Sequence, residues 1–196
     1  LACGGGDDSD APAAPAAKAA PTATAEPAKP EKEKEAPATV VKIGLLSPQT
    51  GPIAVYAPGF EDAANVAITA LNDSQKSHEF ELIVADSGCD GTQAATSAQS
   101  LIDSGVVGIV GAACSGATLG AIAVAAPAGV PMLSYASTSP AVTTADDDGY
   151  LFRVVPSDAQ QSVALVDVVK SEGSSNPAVL YMTNDYGAGL AENFKG

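Results

Sequence analysis

Basic residues are scarce in this chain: 9 Lys and Arg stand against 23 Asp and Glu, for a formal net charge of −14. No Lys/Arg cluster interrupts the acidic excess, which argues against nucleic acid as a partner, since phosphate backbones are held by basic patches. Tryptophan is absent and aromatic residues make up only 5% of the sequence. Histidine is nearly absent too. The single His78 ends the polar run Ser74-Gln75-Lys76-Ser77-His78 and reads as an exposed loop residue, so neither a Ser-His-Asp nor a Cys-His arrangement has a base to work with. There is no G-x-G-x-x-G and no P-loop, and Ala113-Cys114-Ser115-Gly116-Ala117 lacks the first glycine of a G-x-S-x-G elbow. Asp146-Asp147-Asp148 are successive acids that point in different directions and lack the ligand spacing of a cation loop. These absences speak against an enzyme and call for no metal and no cofactor.

Three cysteines are present. Cys3 follows Leu1-Ala2 and precedes Gly4-Gly5-Gly6, a partial match, without the apolar stretch, to the end of a bacterial lipoprotein signal in which the cysteine is lipidated and anchors the chain to a membrane. From Gly4 to Ala38 the composition is Gly, Asp, Ser, Ala, Pro, Thr, Lys and Glu, with six prolines and almost nothing to bury. Such a segment cannot offset its ordering entropy and is expected to be a tether, with Glu31 to Glu35 (EKEKE) as solvated linker. Residues 1–38 are therefore assigned as lipobox remnant and tether. Cys89 and Cys114 form an even pair, which suggests a disulfide in an exported chain; two buried thiols would fit a cytoplasmic one.

Apolar patterning begins at Thr39. Residues 39–47 (TVVKIGLLS) are β-branched and apolar, as a strand covered on both faces requires, and the turn residues 48–52 (PQTGP) end it. From Pro58 to Asn72, Phe60, Ala64, Ala67 or Ile68, and Leu71 recur at helical spacing, with Glu61 and Asp62 placed in the first turn. Glu79 to Ala85 predicts a second strand, and Thr92 to Asp103 a helix on Ala95, Ala98, Leu101 and Ile102. A strand over 106–110, a helix from near Ser115 and a strand over 132–134 follow. This alternation is the signature of a parallel α/β sheet. Beyond it the pattern predicts a strand over 151–155, a helix over 159–171 capped by Ser157 or Asp158 with Ala164, Leu165, Val168 and Val169 on its apolar face, a strand over 178–182, and a helix starting near Leu190 that is cut off at Gly196.

The chemistry concentrates in 111–144, GAACSGATLGAIAVAAPAGVPMLSYASTSPAVTT. A strand end there delivers a helix N-terminus with Ser115 in its first turn, where unpaired N–H groups and the helix dipole favour an anion. A second strand ends in the hydroxyl-rich run Tyr135-Ala136-Ser137-Thr138-Ser139. Adjacent strand ends of a parallel sheet face one crevice, so the two corners together are expected to hold a small zwitterion or carboxylate.

KIGLLSPQTGPIAVYAPGFEDAANVA, DSGCDGTQAA, GIVGAACSGATL, GVPMLSYASTSPAVT, FRVVPSDAQQ and AVLYMTNDYGAGLAENF stand in this order over residues 40–196. In order and spacing they resemble the periplasmic leucine/isoleucine/valine-binding proteins of ABC transporters, type I two-lobed binding proteins. The resemblance implies two α/β lobes that close over an amino acid by a hinge, the first nearly complete over 39–155 and the second begun over 156–196 and truncated. It implies a ligand site formed by Ser115, Ala136, Ser137 and Thr138, with Ser115 and Thr138 on the α-carboxylate and the Ala136 carbonyl and Thr138 hydroxyl on the α-ammonium. Tyr56 would cover the aliphatic side chain and Tyr186 would reach in from the second lobe. Cys89–Cys114 matches a family disulfide beside the site. The partners implied are an amino acid, an ABC permease and, through Cys3, a membrane, for a protein in the periplasm or at the cell surface. A ligand-sensing receptor domain of the same fold, binding amides or amino acids, is the alternative, and a structural lipoprotein without ligand is a third reading. The carboxylate that the family sets against the ammonium lies beyond Gly196, so weak binding or none is expected of these 196 residues alone.

Overall fold

The structure, a computed structural model, describes residues 38–195; the lipidation expected at Cys3 and the tether up to Pro37 lie outside the described residues. Five strands form one sheet: β1 (Thr39–Ser47), β2 (His78–Asp86), β3 (Gly108–Val110), β4 (Met132–Ser134) and β5 (Leu151–Arg153). Their spatial order is β2-β1-β3-β4-β5 and every pair is parallel. β1 runs beside β2 along its whole length, from Thr39↔His78 to Ser47↔Asp86, and beside β3 from Ile43 to Leu45. The chain thus leaves β1 to one side to make β2 and returns to the other side to make β3. In an open sheet such a reversal leaves a crevice beyond the C-terminal strand ends.

The connections are helices α1 (Ala57–Ser74), α2 (Gly91–Asp103) and α3 (Ser115–Ala125), with short 3₁₀ turns at Ala54–Tyr56 and Pro140–Val142. Asp90 caps α2 by accepting from the Gln93 N–H at 2.9 Å. The main core lies where α2 and α3 pack on the sheet: Ala94, Ala98 and Leu101 of α2 meet Ala117, Ala121 and Ile122 of α3 over Leu46, Ile109 and Met132. Small residues let these two helices approach closely. A Cβ on Gly120 would overlap the Gly91 carbonyl, so the crossing is fixed by glycine at that point. α1 is less deeply set; Phe60, Ala64 and Ile68 are half-buried, while Ala67 and Leu71 are exposed. Its first turn, Ala57 to Phe60, holds no acid, because the helix starts one residue before Pro58 and leaves Glu61 and Asp62 to the next turn.

After β5 the chain forms α4 (Asp158–Ser171) and α5 (Asp185–Lys195). Ser157, not Asp158, caps α4, accepting from the Ala159 N–H at 3.3 Å. Four sequence expectations are corrected here. Residues 178–182 form no strand, since among the described residues no strand pairs with them, and a segment without a neighbour gains no ladder hydrogen bonds. Of the apolar face assigned to α4, Ala164, Leu165 and Val168 are exposed and only Val169 is half-buried. The last helix begins at Asp185, five residues before Leu190, with Asn184 accepting from the Gly187 N–H at 2.8 Å. His78 opens β2 rather than lying in the preceding turn, and is exposed there. Asp147 shapes its own turn by accepting from the N–H groups of Gly149 and Leu151, and among the described residues no three His, Cys, Asp or Glu gather as a metal site.

A candidate ligand cleft at the strand ends

The loops after β1, β2, β3 and β4 converge on a cleft of about 580 Å³. From the loop after β3 and the first turn of α3 come Ala113, Cys114, Ser115 and Gly116; from the corner after β4 come Ala136 and Thr138. The N-cap position of α3 is Cys114, whose side chain caps nothing, so the first-turn N–H groups of this helix have no side-chain partner from the cap. Ser115 is 2% exposed, and its Oγ accepts the Ser139 N–H at 3.2 Å. The disulfide joining Cys89 to Cys114, with Cα atoms 5.3 Å apart, ties the loop before α2 to the start of α3 at the cleft wall.

The second corner is held from below. Arg153 of β5 donates to the Ser139 carbonyl at 2.9 Å, to the Thr138 carbonyl at 3.4 Å and to the Thr143 hydroxyl. Asp158, fully buried at the start of α4, donates its N–H to the Thr138 carbonyl at 2.8 Å and accepts the Thr138 hydroxyl on Oδ2 at 2.9 Å. Burial pushes the Asp158 carboxyl above its ordinary value, and the Thr138 hydroxyl and the Arg153 charge only partly oppose it. Asp86, at the end of β2, behaves oppositely. Desolvation acts to raise it, but the Thr50 hydroxyl, the Gly88 and Thr50 N–H groups and the Gln93 amide outweigh that and hold it below the usual carboxylate value. Through these bonds Asp86 joins the loop carrying Pro52 and Ile53, which forms the apolar wall of the cleft, to the loop before α2.

Of the expected site residues, Ser115, Ala136, Thr138 and Tyr186 line this one cleft. Ser137 does not. It is fully buried, its Oγ pairs with Thr118 Oγ1 at 2.7 Å, and it also lies within hydrogen-bond reach of the Ala112 and Ala113 carbonyls. Tyr56 stands outside the lining, 61% exposed, with its ring centroid 6.5 Å from that of Phe60. Sequence reasoning missed Asp90, Gln161, Met182, Asn184 and Asp185 in the wall, and Asp158 behind it. Asp185 reaches so near Gly116 that a Cβ on that glycine would meet its Oδ2. Sequence patterning starts the last helix near Leu190, which leaves Asp185 outside it, and an acid at a helix start is in any case common as plain dipole complement. Two carboxylates, Asp90 and Asp185, and no Lys, Arg or His line the cleft among the described residues.

The sequence that builds this cleft is matched over residues 40–196 by a family model described as periplasmic binding protein. The chain belongs to the periplasmic binding protein family. It is 31% identical over 163 residues to the leucine-, isoleucine-, valine-, threonine-, and alanine-binding protein of Pseudomonas aeruginosa, covering 81% of this chain and 43% of that relative. Among solved structures it is similar to the branched-chain amino acid transporter substrate binding protein LivJ of Streptococcus pneumoniae in complex with isoleucine, at 29% identity and a TM-score of 0.70, covering 80% of this chain and 46% of that one. It is also similar to an ABC-transporter solute binding protein of Rhodopseudomonas palustris in complex with 3,4-dihydroxy benzoic acid, at 26% identity and a TM-score of 0.68, covering 80% and 44%. The chain spans less than half the length of each of these periplasmic binding proteins.

Proposed function

We propose that the protein is the extracytoplasmic solute-binding component of an ABC importer and captures a branched-chain or similar aliphatic amino acid. In this reading residues 39–155 form the first lobe, 156–196 open the second, the lobes close over the ligand by a hinge, a permease receives the cargo, and Cys3 carries the lipid anchor. The observation that carries the reading is the chemistry of the cleft wall. A zwitterion leaving water must have both charges paired and hydrogen-bonded. The buried Ser115 hydroxyl and the start of α3 supply donors suited to a carboxylate, while Thr138 and the Ala136 backbone supply acceptors suited to an ammonium. Pro52, Ile53 and Met182 give an aliphatic side chain apolar surface. Asp90 and Asp185 favour a ligand that carries a positive charge beside its carboxylate and disfavour a bare aromatic acid, which would bring a second anion against them with no cation in the wall.

Calorimetric titration of the full-length protein with isoleucine, leucine, valine and 3,4-dihydroxybenzoate tests this. Saturable binding of an aliphatic amino acid is expected, with Ser115→Ala weakening it by about 1–3 kcal/mol through loss of a charge-assisted hydrogen bond. Binding of the aromatic acid alone, or of neither class, would overturn the amino-acid reading.

A further inference from the structure

We infer that Asp158 is a positioning residue: by accepting the hydrogen bond of the Thr138 hydroxyl it presents that oxygen to the cleft as an acceptor only, and so sets which end of a zwitterion the corner receives. The inference rests on the amino-acid reading and names a determinant of specificity within it. A threonine hydroxyl has one hydrogen and two lone pairs. Its hydrogen is committed to Asp158 Oδ2 at 2.9 Å, so Thr138, which lines the cleft, has only lone pairs left to offer a ligand. The geometry leaves little freedom. Asp158 is fully buried, its own N–H is bonded to the Thr138 carbonyl at 2.8 Å, and it sits in the first turn of α4, where the helix dipole favours an anion. Arg153 holds the same corner through the Thr138 and Ser139 carbonyls and adds a compensating charge.

Ser115 is set the other way. Its oxygen accepts the Ser139 N–H, and among the described residues its hydrogen goes to no protein acceptor, leaving it a donor. The two hydroxyls therefore carry opposite polarities imposed from behind the wall, one by a backbone N–H and one by a buried carboxylate. Without Asp158 the Thr138 hydroxyl could rotate and donate, and the corner would accept a carboxylate as readily as an ammonium. An acceptor at Thr138 favours amino acids over the deaminated acids of the same shape, which offer no ammonium to that corner.

The test is a ratio. Titrations of the full-length protein with isoleucine and with 3-methylpentanoate, its counterpart without the amino group, give a Kd ratio for wild type, Thr138→Val, Asp158→Asn and the double variant. The preference for isoleucine is expected to drop about tenfold or more in Thr138→Val, as for a lost hydrogen bond to a charged group. Asp158→Asn is expected to move the ratio in the same direction with the Kd for 3-methylpentanoate little changed, and the double variant to add no further loss to the ratio. If Asp158→Asn does not melt cooperatively, Asp158→Ser, too short to reach Thr138, provides the same comparison. Equal weakening of both ligands by either Asp158 variant, or an unchanged ratio, would assign Asp158 a purely structural part and overturn the inference while leaving the amino-acid reading in place. A wild type that binds neither ligand overturns both.

Discussion

Residues 39–155 and 156–195 carry comparable apolar patterns but come to different ends. In the first region, Leu46, Ala98, Leu101, Ile109 and Ile122 are at most 2% exposed, because α2 and α3 lie on a sheet whose strands are already paired. In the second, the residues that become buried are Asp158, Ser162, Gly187 and Ala191, while Leu165, Val168 and Met182 are exposed and Leu180 is fully so. α4 and α5 form nonetheless, as their caps and spacing dictate. Periodicity is enough to make a helix and to say which face is apolar; burial of that face depends on a second surface being there to meet it.

That contrast can be broken from its strong side. Leu46→Ala, which opens a cavity between sheet and helices, is expected to cost about 2–5 kcal/mol of stability in denaturant unfolding. Replacing Cys89 and Cys114 with alanine frees a 25-residue separation now closed by the disulfide and is expected to cost about 3–4 kcal/mol, read as a lower unfolding midpoint that reducing agent reproduces in the wild type. Two aspartates then separate the regions by pH. The lowered Asp86 carboxyl contributes stability above the ordinary value of 3.8 that is lost as pH falls through its folded value, and Asp86→Asn is expected to flatten that acid limb of a Tm profile. The raised Asp158 carboxyl acts with the opposite sign: its penalty is absent below 3.8 and sets in as pH rises through the folded value, so Asp158→Asn is expected to remove a loss on the rising side. The smallest effect belongs to the second region. Leu180→Ala is expected to change unfolding free energy by less than about 0.5 kcal/mol; a cost of the size expected for Leu46→Ala would show that 178–182 is packed in solution.

Much of the fold was legible in order. β1, β4 and the start of α3 fall on the residues that patterning assigned, because a β-branched run, a short apolar run and a glycine-flanked turn are local signals. The family resemblance, carried by several blocks in sequence, agrees with the matched family and with the parallel sheet. The candidate site was partly legible. Ser115, Ala136, Thr138 and Tyr186 reach one cleft, whereas Ser137, in the same hydroxyl run, turns into the scaffold, and nothing in Ala136-Ser137-Thr138 distinguishes the hydroxyl that faces out from the one that faces in. Asp158 read as one of two possible caps; its bond to Thr138 spans 20 residues and exists only once β5 is laid beside β4.

The sequence by itself determined the acidic, histidine-poor chemistry, the alternation of strands and helices, and the two strand-end corners, since each depends on residues within a few positions of one another. Only the tertiary structure decided which corner oxygens are free, which carboxylates stand at the cleft, and that 178–182 pairs with no strand among the described residues. Those outcomes are set by hydrogen bonds and packing between segments far apart in the chain, whose distances no local pattern encodes.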